Sequence, residues 1–287
     1  MPELQLPQGT ITYREAGQGE PLVFLHGYLM DGRLWDGVIE RLAPDLRCIA
    51  LDLPFGAHRH PLRRDADLSA RGVARLVADA LAALELEDVT LVGNDSGGAI
   101  AQVVAAEHPE RLARLVLTPC DCFDNFPPKF FVSLVWAAHV PGALTAAFLP
   151  LRMKAPRALP IAYGWVTKRR PLPHALIADW VRAYFADRGV RRDVAKVTRG
   201  LDRRVTEQAA RALAHFDRPA LLAFAPDDKL FPMEHAWRLA GLMPDARVAT
   251  IDDSRTWVMI DQPERTAEVI REFVRATGGR REAIATT

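Results

Sequence analysis

Short, uninterrupted apolar runs of strand length, separated by segments with helical spacing, most constrain how this chain can fold. The runs PLVFLHG, RCIALDLP, DVTLVG and LARLVLTPC begin at residues 21, 47, 88 and 112. Strands that are apolar at every position are buried on both faces, which is typical of parallel sheets. Between two of these runs, residues 69–86 have apolar side chains at helical spacing, with Ser69 as a predicted N-cap. This order predicts an α/β fold, with a mostly parallel central sheet flanked by helices on both faces.

The alternation stops after Cys122 and returns after Phe216. Residues 123–216 contain prolines, aromatic residues and short helical stretches, but no apolar run of strand length. Strand and helix patterns then alternate again to residue 278. We therefore predict one α/β core (residues 1–122 and 217–278), an inserted helical cap (residues 123–216) and a disordered tail (residues 279–287).

Composition and charge exclude several classes of function. The formal net charge of +1 gives no reason to predict binding to nucleic acid. No segment has ~18 consecutive apolar residues, so no membrane span is predicted, and the N-terminus lacks the pattern of a signal peptide. A cytoplasmic location is the default expectation. Three cysteines do not indicate a disulfide framework, and the pair Cys120 and Cys122 lacks the partners of a metal site. We predict no metal and no other cofactor, and the oligomeric state stays open.

The predicted cap is strongly basic. It contains 16 Lys and Arg residues and 6 Asp and Glu residues, which gives a net charge of +10, and the rest of the chain carries −9. Such a balance is typical of a solvated outer surface. The alternative is attraction of an anionic substrate, a partner surface or an acidic lipid face.

The stretch LVGNDSGGAI, residues 91–100, predicts a sharp turn between a buried strand and a helix. A turn that holds up a nucleophile needs small residues two positions before and after the strained residue. With Asp95 in the centre, the flanking residues are Gly93 and Gly97. With Ser96 in the centre, one flanking residue is asparagine. The spacing therefore favours Asp95 as the nucleophile.

Five segments in this order resemble the α/β-hydrolase family over essentially the whole chain. They are LHGY, DLPFGAHR, VGNDSGG, HPERLARLVL and AFAPDDKLFP. The turn is similar to that of haloalkane dehalogenases and epoxide hydrolases, which use an aspartate nucleophile. Dehalogenases usually have Trp after the nucleophile, where this chain has Ser96.

The resemblance implies roles for further residues. The backbone N–H groups of Tyr28 and Ser96 are expected to form an oxyanion hole. His26 in LHGY is expected to hold this loop in place rather than to carry a proton. Asp228 matches the acid of the family's motif, with Asp227 as the alternative.

The family's histidine base has no counterpart at the matching position, which is Thr256. Threonine cannot accept a proton at neutral pH. Two alternatives stay open. Another histidine replaces the base, from the cap (His139 or His174) or from the loop after the fourth strand (His58 or His60). Otherwise Asp95 and Asp228 lie close together and transfer protons without covalent catalysis.

The cap is expected to cover the carboxyl edge of the sheet, where open α/β sheets bind ligands. Candidate pocket residues are His26, Trp136, Tyr163, Trp180, Tyr184 and Trp257. We predict a hydrolase that acts on the epoxide, carbon–halogen or ester bond of a small-to-medium apolar substrate. The alternatives are a cofactor-independent lyase, isomerase or cyclase that uses Asp95 and Asp228, and a non-catalytic ligand-binding protein.

Overall fold

An eight-stranded sheet forms the centre of the protein. The computed structural model describes residues 1–278, and the predicted tail, residues 279–287, lies outside them. The strands are β1 (Glu3–Leu6), β2 (Gly9–Ala16), β3 (Pro21–Leu25), β4 (Arg47–Leu51), β5 (Val89–Asp95), β6 (Leu112–Cys120), β7 (Ala220–Phe224) and β8 (Ala246–Thr250). Their order is β1-β2-β4-β3-β5-β6-β7-β8. The pairs β1–β2 and β2–β4 are antiparallel and all others are parallel, which confirms the predicted mostly parallel sheet.

Helices occupy most of the remaining chain. They are α1 (Asp36–Leu42), α2 (Ala70–Ala83), α3 (Ser96–Glu107), α4 (Val132–Ala138), α5 (Ala143–Phe148), α6 (Lys154–Arg157), α7 (His174–Ala186), α8 (Arg188–Arg199), α9 (Arg203–Ala212), α10 (Met233–Ala240), α11 (Val258–Asp261) and α12 (Pro263–Thr277). Short 3-10 turns lie at Gly32–Trp35, Lys129–Phe131, Leu149–Arg152 and Leu213–His215. Within residues 1–278, no helix combines the length and the apolar character needed to cross a bilayer.

Successive side chains of the central strands pack alternately into two apolar layers, one on each face of the sheet. In β3, Val23 and Leu25 pack into the layer formed with α2, α3 and α10. Leu22 and Phe24 point the other way, into the layer formed with α1 and α12. Successive strand residues face opposite sides of a sheet, so a strand covered on both faces must be apolar throughout. The predicted helix N-cap, Ser69, is confirmed, since its side chain accepts a hydrogen bond from the Gly72 backbone N–H at 3.2 Å.

β1 and α1 are among the elements that have no counterpart in the sequence prediction. β1 is an edge strand that pairs only with β2, and most of its residues are exposed or half-buried. It therefore lacks the apolar run that marks the central strands. α1 has seven residues, which is too short for a clear helical periodicity.

The chain passes from β6 to β7 through α4–α9, and the described residues between these strands contain no strand. This helical segment contacts the core near the carboxyl ends of the strands. The Tyr163 hydroxyl donates to the carbonyl of Leu29 at 3.2 Å, and the Trp257 backbone N–H donates to the carbonyl of Val166 at 2.8 Å. The boundaries of the cap, residues 123–216, stay a prediction.

Candidate active site

A sharp turn between β5 and α3 presents the side chain of Asp95. β5 ends at Asp95 and α3 begins at Ser96. The Asp95 backbone has φ 54° and ψ −133°, a combination that residues with a side chain rarely adopt. Such strain persists only where the surrounding packing imposes it, and it concentrates at functional sites. The strained residue is Asp95 and not Ser96.

Two glycines allow this turn to pack directly against the end of β3. A Cβ atom on Gly97 would lie 2.4 Å from the carbonyl oxygen of His26 and 2.7 Å from that of Leu25. A Cβ atom on Gly27 would lie 2.5 Å from the Cβ of Asp95. All three distances are shorter than real Cβ contacts. The absence of side chains at these two positions therefore brings the loop after β3 against the Asp95 carboxylate.

Ser96 holds the Asp95 carboxylate. Oδ1 of Asp95 accepts hydrogen bonds from the Ser96 backbone N–H at 2.5 Å and from the Ser96 hydroxyl at 3.0 Å. The Tyr28 backbone N–H lies close enough to lower the pKa of this carboxyl group. Burial still raises the pKa of Asp95, because desolvation of the charged form outweighs these lowering effects. Both backbone N–H groups expected in an oxyanion hole thus lie near Asp95.

Asp121 is a site residue that the sequence analysis did not identify. It follows β6 directly, is almost fully buried, and borders the same cavity as Asp95 and Ser96. Its Oδ1 has no hydrogen-bond partner in the described structure. Burial raises the pKa of Asp121 well above its usual value, and the nearby charge of Asp95 adds to this. Its position in TPCDC, at the carboxyl end of the strand next to β5, is the signal that could have revealed it.

The Ser96 hydroxyl lies between two carboxyl groups. Its oxygen is 3.0 Å from Oδ1 of Asp95 and 3.3 Å from Oδ2 of Asp121. A hydroxyl has one hydrogen and can donate to only one of them. Both contacts are satisfied when Asp121 is protonated and donates to Ser96 while Ser96 donates to Asp95. No basic side chain contributes to the pKa shifts of Asp95 and Asp121 in the described structure, so burial favours this shared proton.

Asp228 lies behind this pair, after β7. Its Oδ1 accepts from the backbone N–H groups of Leu230 at 2.7 Å and Phe231 at 2.9 Å. Burial raises its pKa to about 6, against the lowering effect of these donors, and the charge of Asp95 contributes a smaller increase. The alternative acid, Asp227, is half-exposed and pairs with Lys168 at 2.6 Å. Asp228 is therefore the carboxylate of this motif that faces the interior.

Thr256 is fully buried next to β5, the strand that ends at Asp95. Its carbonyl accepts a hydrogen bond from Asn94 Nδ2 at 2.8 Å. Its hydroxyl is close enough to Asp228 to lower the pKa of that carboxyl. However, neither Thr256 Oγ1 nor Asp228 Oδ2 has a hydrogen bond of normal geometry among residues 1–278. Two buried polar atoms are thus unsatisfied at the position of the family's histidine.

His26 holds the loop after β3. Its Nε2 accepts from the Leu53 backbone N–H at 2.8 Å, so Nδ1 carries the hydrogen and donates to the carbonyl of Gly27 at 2.8 Å. Burial lowers the pKa of His26, which keeps the ring neutral. Both nitrogens are occupied, so His26 has no nitrogen available to activate a water.

None of the chain's eight histidines borders the cavity that contains Asp95. His58 is buried against Asp193, at 3.5 Å, and His60 pairs with Glu3 at 2.9 Å. His139 lies on the exposed end of α4. His174 begins α7, away from the cavity lining. None of these four histidines lies where it would activate a water in this cavity, and their replacement of the base stays a prediction without support from this arrangement.

The cavity has a volume of about 390 Å³ and is mostly apolar. Asp95, Ser96 and Asp121 form its polar end, and most of the remaining wall comes from residues 127–166. None of its lining residues has a side-chain N–H group. Within the described residues no cluster of three or more potential metal ligands is found.

Only one of the six predicted pocket residues borders this cavity. Tyr163 does so, but Trp136 is 74% exposed and points to solvent. Trp180 and Trp257 are fully buried and pack edge to face at 5.8 Å, in the core below the cavity. Tyr184 is buried against Phe148, and His26 holds its loop. The aromatic residues of the helical segment could not be divided by composition into those that form its core and those that line the cavity, because both environments are apolar.

Two tyrosine hydroxyls face the cavity region. Tyr163 donates to the Leu29 carbonyl at 3.2 Å. The Thr198 hydroxyl donates to the Val194 carbonyl at 2.6 Å, so the short contact between Tyr28 and Thr198 has Tyr28 as its donor. Burial raises the pKa of both tyrosines, so both hydroxyls keep their protons at neutral pH.

Comparison with known proteins agrees with this architecture. A family model described as the alpha/beta hydrolase fold matches residues 20–263. The chain belongs to the α/β-hydrolase fold family. It is 27% identical to a pimeloyl-acyl-carrier-protein methyl ester esterase of Aeromonas salmonicida, over 92% of this chain and 99% of the relative. It is 28% identical to a 2-hydroxymuconate semialdehyde hydrolase of Pseudomonas sp., over 91% and 88% of the two chains.

Among solved structures, the haloalkane dehalogenase DbeA from Bradyrhizobium elkani superposes with a TM-score of 0.78. The match covers 96% of this chain and 98% of the dehalogenase, at 21% identity. At this identity the match shows the shared fold alone. The family match and the two sequence relatives support a hydrolase of the α/β-hydrolase superfamily.

The close packing at the turn between β5 and α3 predicts the effect of adding one methyl group. Gly97→Ala is expected to lower the free energy of unfolding by about 2 kcal/mol or more, because its Cβ meets backbone that cannot move aside. Gly241→Ala is the control, since its Cβ would lie 3.4 Å or more from its neighbours and its φ is −67°. Urea denaturation measures both. Equal stabilities of the two variants would contradict the proposed packing.

The buried charge of Asp228 predicts a pH-dependent stability. Its pKa is about 6 in the folded protein and 3.8 when unperturbed, so the folded state binds the proton more tightly. Above pH 6 both states are ionised and the full burial penalty applies, whereas below pH 4 both are protonated and it vanishes. Asp228→Asn keeps an acceptor for Leu230 and Phe231. It should stabilise the protein by up to about 3 kcal/mol at pH 8 and hardly at all at pH 4.

Denaturation curves at these two pH values measure this difference. Asp227→Asn is the matched control, because Asp227 is exposed and burial does not raise its pKa. A gain for Asp228→Asn that is the same at both pH values would contradict the assignment.

Proposed function

We propose that this hydrolase uses Asp95 as a nucleophile on a small-to-medium apolar substrate and forms an ester on its carboxylate. The observation that carries the proposal is the strained Asp95, held by the backbone N–H and hydroxyl of Ser96 at the polar end of an apolar cavity. A volume of about 390 Å³ suits a small-to-medium ligand. The relatives' names, a methyl ester esterase and a semialdehyde hydrolase, agree with the superfamily but do not identify the bond that is cleaved.

The cavity favours an epoxide among the three bond types that the sequence suggests. An oxygen of Asp95 attacks a ring carbon, the ring carbon–oxygen bond breaks, and the departing oxygen takes up a proton. Tyr28, Tyr163 and protonated Asp121 border the cavity, and each can supply this proton if its hydroxyl turns from its present acceptor to the departing oxygen. A departing halide would instead need N–H donors, and no lining side chain provides one.

The second half of the reaction breaks the ester on Asp95. Water attacks the ester carbonyl, and the oxyanion that forms is stabilised by the N–H groups of Tyr28 and Ser96. The released diol leaves the Asp95 carboxylate restored. Thr256 has no group that could take a proton from this water. Next to Thr256, the Asp228 Oδ2 has no hydrogen-bond partner within residues 1–278. We therefore expect the ester to form faster than it is hydrolysed.

A second candidate is a proton-transfer enzyme, a lyase, isomerase or cyclase without a covalent intermediate. The bridge from Asp121 through Ser96 to Asp95 supports it, because one end holds a proton and the other can accept one. The cavity has no histidine to perform this transfer instead. In this candidate Asp95 is a general base and Asp121 the group that returns the proton.

Intact-mass spectrometry distinguishes the two candidates. We expect the protein incubated with terminal epoxides to gain the mass of one epoxide, and peptide mapping to place it on Asp95. Asp95→Asn should gain none, while Ser96→Ala should still be modified. An adduct on Ser96, or turnover that persists in Asp95→Asn, would contradict the nucleophile assignment. Binding without adduct or turnover would favour the ligand-binding alternative.

Restoring the missing base should release the ester. In Thr256→His, the new imidazole would meet the unpartnered Oδ2 of Asp228, which orients and stabilises it as a base. We expect the adduct to hydrolyse about 10²–10⁴-fold faster than in the unchanged protein. Thr256→Val is the control, because it has a similar size and no base. Adduct lifetimes followed by mass spectrometry test this, and equal lifetimes in Thr256→His and Thr256→Val would contradict it.

A further inference from the structure

Large apolar side chains are exposed on one stretch of the helical segment. Within residues 1–278, eleven large apolar residues are exposed, and eight of them lie between residues 130 and 161. They are Phe130, Val132, Trp136, Val140, Leu149, Met153, Leu159 and Ile161. Single exposed apolar residues are ordinary, but a cluster of them marks an interaction surface. We call these eight residues the apolar face.

Three residues of the apolar face lie at the entrance to the cavity. Phe130, Leu159 and Ile161 border the cavity although each is about half-exposed, so they lie at its opening. In α4, Val132 and Trp136 are one helical turn apart and share a side, while Leu134 turns toward the cavity. The apolar face therefore continues the apolar lining of the cavity outward to the protein surface.

The charges around this face have one sign. Residues 125–178 contain seven Lys and Arg residues and no Asp or Glu. Lys168 and Arg170 form ion pairs with the core domain, and buried Arg157 donates to backbone carbonyls. By contrast, Lys129 and Lys154 are exposed and have no ion pair within the described residues.

Arg152 completes the unpaired positive charges beside the face. It is exposed, and its guanidinium lies 5.6 Å from the centre of the Phe185 ring rather than against a carboxylate. Arg152 and Lys154 flank the exposed Met153 in sequence, and Lys129 precedes the exposed Phe130. Each cation is thus adjacent to an apolar side chain that points to solvent.

We propose that the apolar face, with Lys129, Arg152 and Lys154, docks the protein on an anionic lipid surface and opens the cavity toward the lipid. Apolar side chains that insert beside basic ones are the combination that binds a membrane interface. A second copy of the chain is a poorer partner, because pairing two such faces would bring positive charges together. Docking would let an apolar substrate pass from the lipid to Asp95 without crossing water, and it is independent of the bond that Asp95 attacks.

Vesicle co-sedimentation tests this proposal without any measurement of activity. We expect the full-length protein to bind vesicles of phosphatidylcholine with phosphatidylglycerol and to bind pure phosphatidylcholine vesicles at least tenfold more weakly. Trp136→Ser should reduce binding to the anionic vesicles at least fivefold. Trp237→Ser is the matched control, since Trp237 is 60% exposed but lies on α10 in the core, and it should bind like the unchanged protein.

A second variant tests the charges. Lys129→Gln with Lys154→Gln should weaken binding to anionic vesicles by about 25-fold, or about fivefold for each charge removed. Equal binding to both kinds of vesicle would overturn the proposal, as would binding to anionic vesicles that Trp136→Ser leaves unchanged. A dimer in solution that Trp136→Ser dissociates would also overturn it and would assign the face to a second copy.

Discussion

The close contact between the β5–α3 turn and the loop after β3 is the constraint on which the site depends. Because Gly97 and Gly27 have no side chains, the two backbones approach each other and force Asp95 into a strained conformation. That conformation places the carboxylate over the edge of the sheet and within reach of the N–H groups of Tyr28 and Ser96. The strained backbone costs of order 1–3 kcal/mol, which the packed sheet on both sides offsets.

The carboxyl groups around this turn give the site its chemical character. Asp121 is fully buried and Asp95 and Asp228 are half-buried, and loss of hydration raises the pKa of each. In a site with a histidine base, an imidazolium can offset this negative charge during the reaction. Here the position of that base holds Thr256, and Asp121 keeps its proton beside the negative charge of Asp95. A site of this kind can protonate a leaving oxygen readily and activates water poorly, which links the proposed fast ester formation to its slow hydrolysis.

The sequence predicted the fold and the position of the turn between β5 and α3 because both depend on local patterns. Fully apolar runs such as Pro21–Leu25 identify buried parallel strands, and the small residues around Asp95 identify the turn. Asp121 was missed because its proximity to Asp95 arises from the pairing of β5 with β6. Trp136 and Trp257 were assigned to the pocket because composition cannot separate an exposed face, a buried core and a cavity wall. Those distinctions depend on how the helices pack, which no short segment determines.

The central claim is that Asp95 attacks the substrate carbon and is restored by water. Turnover of an epoxide in H₂¹⁸O, followed by mass spectrometry of the peptide that contains Asp95, tests it most directly. If water attacks an ester on Asp95, the account predicts that ¹⁸O enters the Asp95 carboxyl group after release of the product. If ¹⁸O is found in the diol alone and never in Asp95, water attacks the substrate directly, and the account of Asp95 as the nucleophile is wrong.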